Sequence, residues 1–112
     1  MRTRKVNNDI IHIITKKSTK TEKKEIMNLL EEKIVDAILN KKSVSVITSN
    51  PFAECRNILH IENYEVFEDY AYIGKDNFEI NITPQDVDEI RYNKDTGFTF
   101  CKDNNEMCLM FN

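Results

Sequence analysis

The stretch Phe78-Glu79-Ile80-Asn81-Ile82-Thr83-Pro84-Gln85-Asp86-Val87-Asp88-Glu89-Ile90-Arg91-Tyr92 decides the fold. Phe78, Ile80 and Ile82 alternate with polar residues, the period-two mark of a strand with one buried face. Pro84 ends that ladder, because it has no N–H to donate and it holds Thr83 extended. Val87, Ile90 and Tyr92 then resume an apolar face. Strand, tight turn and strand follow one another with no room for a crossover helix. The expectation is a sharply bent antiparallel sheet, with Ile82 and Ile90 in its core.

Upstream, Ile10-Ile11-His12-Ile13-Ile14 is a continuous β-branched run and reads as a short buried strand over 10–14. Thr19 with Glu22 three residues on fits a capping box and opens a helix over 19–41. Ile26, Met27, Leu30, Ile34, Ala37 and Ile38 recur at three and four, giving one apolar stripe. Leu29, Val35 and Leu39 widen it to a face that lies deep against a sheet or is shared with a second subunit. Asn40 is expected to take the left-handed cap. Downstream, strands are expected at Val44–Thr48, Cys55–Ile61 and Glu65–Ile73, with turns at Asn50-Pro51, Gly74-Lys75-Asp76-Asn77, Asp95-Thr96-Gly97 and Asn104-Asn105. Within the second of these, either Ile58 and His60 or Leu59 and Ile61 face inward. Turn signals arrive at intervals of roughly 8–12 residues, the rhythm of an antiparallel sandwich or barrel. The fold class is therefore α+β: an N-terminal strand and an amphipathic helix on a curled antiparallel sheet or small barrel of about six strands. One domain spans 1–112, divided into a basic flexible arm (1–9), the strand, the helix and an antiparallel β meander (43–112).

The 112 residues suffice for one core and not for two. No apolar run approaches the roughly 20 residues that span a bilayer, and the basic N-terminus lacks a signal-like apolar segment, so a cytoplasmic location without a membrane partner is expected. Three cysteines, an odd number, suggest reduced thiols. Charge is uneven along the chain. Residues 1–42 carry eleven Lys/Arg against six Asp/Glu, a balance of +5, whereas 43–112 carry five against thirteen, a balance of −8. A basic arm and helix thus precede an acidic β region.

The pattern Ile80-x-Ile82-x-x-x-Asp86-Val87-x-x-Ile90-x-Tyr92, preceded by a helix at Thr19 to Asn40, resembles the late corner and layout of Sm-like and SH3-like small barrels. The resemblance covers roughly 19–92 and implies a small curled β-barrel. Sm-like RNA binders place an Asn-containing loop and a basic element near the late strands. Here Arg91-Tyr92-Asn93-Lys94-Asp95 stands in that region, so no RNA-binding residue carries over. The high Asn, Ile and Lys content looks like a low-GC genome, and the short chain is similar to many phage or plasmid products.

Cys55, His12 and His60 are the right types for nucleophilic chemistry but form no local signature, and core packing is the simpler reading. Cys101 and Cys108 flank Asn104-Asn105 and with Cys55 and His60 supply the residue types of a Cys3His set, yet structural zinc sites use closer pairs. No catalytic residue, metal or cofactor is expected. Glu65, Glu68, Asp69, Asp76, Asp86, Asp88 and Glu89 are a solvated face or an acidic surface that occupies a basic groove. Tyr64, Phe67, Tyr70, Tyr72 and Tyr92 stand beside them, about half as core and half as contact area with a polar tip. The leading expectation is a non-enzymatic binding protein of phage or mobile-element origin. It would inhibit a host defence or nucleic-acid enzyme through Glu68, Asp69, Tyr70, Tyr72, Asp86, Asp88, Glu89 and Tyr92, meeting a larger host protein or nucleoprotein with a basic groove. The alternatives are a nucleic-acid-binding regulator using Arg2, Arg4, Lys5, Lys16, Lys17, Lys20, Lys23 and Lys24, and a protein that sequesters a small nucleotide. A homodimer is compatible with all three.

Overall fold

The computed structural model describes residues 2–6, 9–75, 78–94 and 97–111, with side chains from residue 13 onward. Its elements are β1 (Arg2–Val6), β2 (Asp9–Thr15), α1 (Lys20–Leu39), β3 (Val44–Ser49), β4 (Glu54–Leu59), β5 (Asn63–Val66), β6 (Ala71–Lys75), β7 (Phe78–Ile82), a single 3-10 turn at Pro84–Asp86, β8 (Glu89–Asn93), β9 (Gly97–Lys102) and β10 (Asn105–Phe111). The fold is α+β, and every strand pairing is antiparallel. Ten strands, rather than about six, form two sheets among the described residues. One has the order β1-β2-β8-β9-β10-β3-β4 and the other β5-β6-β7. The larger ladder ends at β1 and β4, so the sheet is open.

The corner that the sequence marks does more than bend a sheet. β7 belongs to the three-stranded sheet and β8 to the seven-stranded one, so the two strands do not pair. Thr83 is extended (φ −120°, ψ 105°), and buried Pro84 starts the 3-10 turn that Asp86 N–H closes onto Thr83 O at 2.9 Å. The chain changes sheets there. The expected meander is likewise broken: β3 and β4 attach beyond β10, at the far end of the ladder from β1 and β2.

One hydrophobic cluster joins the three layers. Ile26, Met27, Leu30, Ile34 and Ala37 of α1 meet Ile14, Val44, Val46, Ile90, Phe98 and Leu109 of the large sheet and Ala71, Ile73, Ile80 and Ile82 of the small one. The helix starts as its sequence says: Thr19 Oγ1 accepts from Glu22 N–H, and a Glu22 carboxylate oxygen accepts from Thr19 N–H. Its apolar face is narrower than expected, since Leu39 is 75% exposed. Asn40 keeps a negative φ, and Lys41, at φ 52°, takes the left-handed position one residue later. Asn40 instead donates its amide to the Asp36 carbonyl and carboxylate.

Other local expectations shift by a few residues. The arm at 1–9 contains β1, whose backbone pairs with β2 from Arg2↔Ile13 to Val6↔Asp9. Without it, β2 would present a bare row of N–H and C=O groups at the sheet edge. Glu65–Ile73 is two strands, because Phe67 N–H donates to Tyr70 O at 2.7 Å and turns the chain. Gly74 and Lys75 still belong to β6, while Asp76, Asn77, Asp95 and Thr96 lie outside the described residues. In β4 and its exit, Leu59 and Ile61 face inward. Gly97 has φ +84°, and a Cβ there would fall onto the Leu109 carbonyl oxygen. Only glycine fits.

Ile82 and Ile90 are 3% and 1% exposed. Placing an aspartate at either buries a charge without a partner, at a cost of several kcal/mol. Ile82→Asp and Ile90→Asp should therefore each abolish the cooperative thermal transition seen by circular dichroism. Melting like that of the parent would mean the side chain faces water.

Candidate functional site

The 3-10 turn at Pro84–Asp86 separates two clefts. On one side a groove of about 540 Å³ runs between Lys20 and Lys23 of α1 and the Phe67-Glu68-Asp69 loop, over Pro84 and Gln85. On the other a cleft of about 450 Å³ has an apolar floor of Ile82, Val87, Phe100 and Met107. Its rim includes Thr48, Asn50, Asn81, Asp86, Asn105 and Lys102.

The groove wall is built locally. Short β5 and β6 leave only Phe67–Tyr70 to turn the chain, so the Phe67 ring is forced outward and stays 55% exposed. It stacks on Tyr70 with ring centroids 6.5 Å apart. Tyr70 is fixed in turn, its hydroxyl donating to Asn81 Oδ1 at 2.6 Å. Across the groove, Lys24 Nζ lies 3.3 Å from Glu68 Oε1, and Lys23 Nζ donates to Lys16 O at 3.3 Å. Among the described residues neither Lys20 nor Asp69 takes part in an ion pair.

The expected acidic patch does not form as one surface. Glu68 and Asp69 line the groove, and Asp86 faces the opposite cleft. Asp88 is a clasp: it accepts from Asp103 N–H at 2.7 Å and lies 3.2 Å from Lys16 Nζ. Glu89 points to the outer face of the large sheet, where its carboxylate is 3.2 Å from Arg91 Nε. That contact is an ion pair without an aligned hydrogen bond, and Nε is otherwise unpartnered. Asp88 stands in the bend before β8, whereas Glu89 opens β8 on the face opposite the buried Ile90 and Tyr92. Tyr92 is a correction. It is 7% exposed and packs on Phe98 at 4.6 Å, because its position in β8 points to the core. Tyr72 is half-buried on β6, its ring lying over Gly74.

The lysines of the alternative reading lie beside these carboxylates, Lys16 at Asp88 and Lys24 at Glu68. The +5 and −8 halves of the sequence thus interleave in space. Arg2, Arg4 and Lys5 have side chains outside the described residues, as does His12.

Among the described residues no three His, Cys, Asp or Glu side chains converge on a metal-sized site. The β9–β10 turn centres on Asp103-Asn104, one residue earlier than expected. Cys101 is consequently opposite Glu106, and Cys108 is opposite Thr99. Arg91 Nη2 donates to Cys101 Sγ at 3.4 Å and to Glu106 at 3.3 Å. Burial pushes the Cys101 thiol up despite that guanidinium, which is the opposite of an activated nucleophile. Comparison with protein-family models, curated proteins and solved structures gives no match.

The Asp103 N–H first, and Lys16 second, hold the Asp88 carboxyl below the usual aspartate range. Asp103 sits at φ 54°, so the clasp also holds a left-handed residue in place. A carboxyl with a depressed folded pKa contributes stability that is complete above the unfolded value, about 3.9, and is lost as pH falls through the folded one. Asp88→Asn should lower the melting temperature at neutral pH and flatten its decline on acidification to about pH 3. Equal acid slopes for parent and variant would show that the clasp contributes no pH-dependent stability.

Proposed function

We propose that this chain is a non-enzymatic binding protein that docks the groove beside its sheet-switching corner onto a larger protein partner. In its most concrete form it is an inhibitor of a defence or nucleic-acid-handling enzyme, made by a phage or other mobile element. The observation that carries the reading is Phe67: an aromatic ring held outward, buttressed by Tyr70, inside a rim of both signs. Protein interfaces have that anatomy, an aromatic anchor surrounded by polar groups that exclude water. Tyr70 is anchored to Asn81, which limits the ordering cost of docking.

The same rim favours protein over nucleic acid. A phosphate backbone approaching Lys16, Lys20, Lys23 and Lys24 meets Glu68, Asp69 and Asp88 at the same place, and two of those lysines are already paired. A second reading, sequestration of a small nucleotide, rests on the 450 Å³ cleft. Its size suits one, its apolar floor suits a base, and Lys102 is the one cation among its described lining residues.

Binding to a partner recovered from the source cell should be measured with three proteins: the parent, Phe67→Ala, and the Glu68→Lys/Asp69→Lys pair. Losing the aromatic anchor should weaken binding by about 2 kcal/mol or more, and reversing the two charges should also weaken it and change its salt dependence. Asp88 and Glu89 stay intact, because they hold other contacts. Duplex binding by the parent protein alone, with a steep salt slope that disappears when the lysines are neutralised, would sink the reading in favour of the nucleic-acid one.

A further inference from the structure

The two edges of the seven-stranded sheet are defended differently. β1 reads Arg-Thr-Arg-Lys-Val, a cation-rich sequence of the kind that discourages edge-to-edge pairing. The other edge, β4, reads Glu-Cys-Arg-Asn-Ile-Leu, with no lysine, no proline and its first five residues exposed. Among the described residues the two most exposed large apolar side chains outside the helix are Ile58, within β4, at 73% and Phe52, in the turn before it, at 97%. The Phe52 position is preset: Asn50 Oδ1 accepts from the N–H groups of Phe52 and Ala53, at 2.8 and 3.0 Å. Among the described residues neither Glu54 nor Arg56 has an ion pair.

We infer that β4 is a self-association edge, pairing antiparallel with β4 of a second copy about a two-fold axis at Cys55. In that register Glu54 lies opposite Arg56 of the second copy and Arg56 opposite its Glu54. Just beyond the ladder, Phe52 in the turn before β4 comes beside Ile58 of the second copy, and Ile58 beside its Phe52. Glu54, Arg56 and Ile58 share one face of the strand, so both unpaired charges are met within the ladder, and Phe52, in the turn just before it, covers the exposed Ile58 at the ladder's end. The neighbouring register, centred on Arg56, sets like charges against each other and places Glu54 against Ile58. The contact is isologous and closes on itself, so it makes a dimer and not a fibre. The resulting sheet is continuous through both copies.

The test is oligomeric state by sedimentation, with charge exchange as the discriminating step. The parent should sediment at twice the chain mass. Glu54→Arg alone and Arg56→Glu alone each place like charges opposite one another, and each should weaken association about tenfold or more. The double variant Glu54→Arg/Arg56→Glu restores both pairs and should return the dimer. Ile58→Lys should give a monomer with unchanged thermal melting, since that side chain is exposed. A short bis-maleimide should join two parent copies through Cys55, and Cys55→Ser should prevent it. A monomeric parent overturns the inference and leaves the edge for an extended strand of another protein. A dimer indifferent to these substitutions, failing to return in the double variant, or refusing the Cys55 cross-link uses a different surface or register and overturns it equally.

Discussion

The architecture depends on one crossing. Two antiparallel sheets share a single helix as their common core, and between β7 and β8 the chain passes from one to the other within Thr83–Asp88. Proline at 84 makes that crossing sharp. It cannot extend the β7 ladder, it fixes its own φ, and its ring is buried. The hydrogen bond from Asp86 N–H to Thr83 O then closes the turn, and Asp88 N–H reaches Cys101 O at 2.8 Å to begin the next ladder. The backbone N–H groups of Asp86, Val87 and Asp88 thus each find a carbonyl as the chain leaves one sheet for the other. The two clefts are a by-product, because a corner this tight leaves space on either side of it.

Charge placement follows from the same geometry. The basic segment enters α1 just where the acidic loops of the small sheet and the corner arrive, so Lys16 and Lys24 find Asp88 and Glu68. All four side chains are half exposed or nearly so, and solvent-screened pairs of that kind contribute little to stability. Their consequence is in the field: opposite charges a few ångströms apart cancel beyond roughly 10 Å in ordinary salt. A ligand therefore meets an alternating pattern, not a uniformly negative or positive wall. Such patterns select partners by register more than by total charge.

What the sequence revealed was local. The capping box, the five buried helix positions and the alternating strands 78–82 and 89–93 follow from contacts three or four residues apart, or from side-chain period. Pairing partners are not local. Nothing within Arg2–Val6 shows that β2 will need an edge cover, and nothing in β7 or β8 shows that they belong to different sheets. Tyr92 and Tyr70 are indistinguishable by composition; only the phase of β8 sends one to the core. The Cys101–Cys108 register failed for a smaller reason, since Asp103 at φ 54° moves the hairpin turn one residue earlier than Asn104-Asn105 suggested. Phe67 was visible as a candidate, but its exposure depends on a loop that the sequence reading merged into one strand.

The groove beside the corner and the free edge at β4 share no residue, and this has a consequence for separating their roles. The groove is lined by Lys20, Lys23, Phe67–Asp69, Pro84 and Gln85, and the edge by residues 52–58. Effects of substitutions at sites without common contacts add, usually within about 0.5 kcal/mol. A variant at Phe67 that changed self-association, or a variant at Ile58 that changed partner binding in a protein still folded, would therefore mean coupling through the core. The core supplies a route: Leu59 and Ile61 follow the edge directly and belong to the cluster that holds α1, whose first turns form the groove wall. Close packing transmits displacement only where an element has two arrangements to choose between. α1 is held by a capping box at one end and by Asp36, Asn40 and Lys42 at the other. With both ends tied, the physical expectation is two independent surfaces on one rigid body.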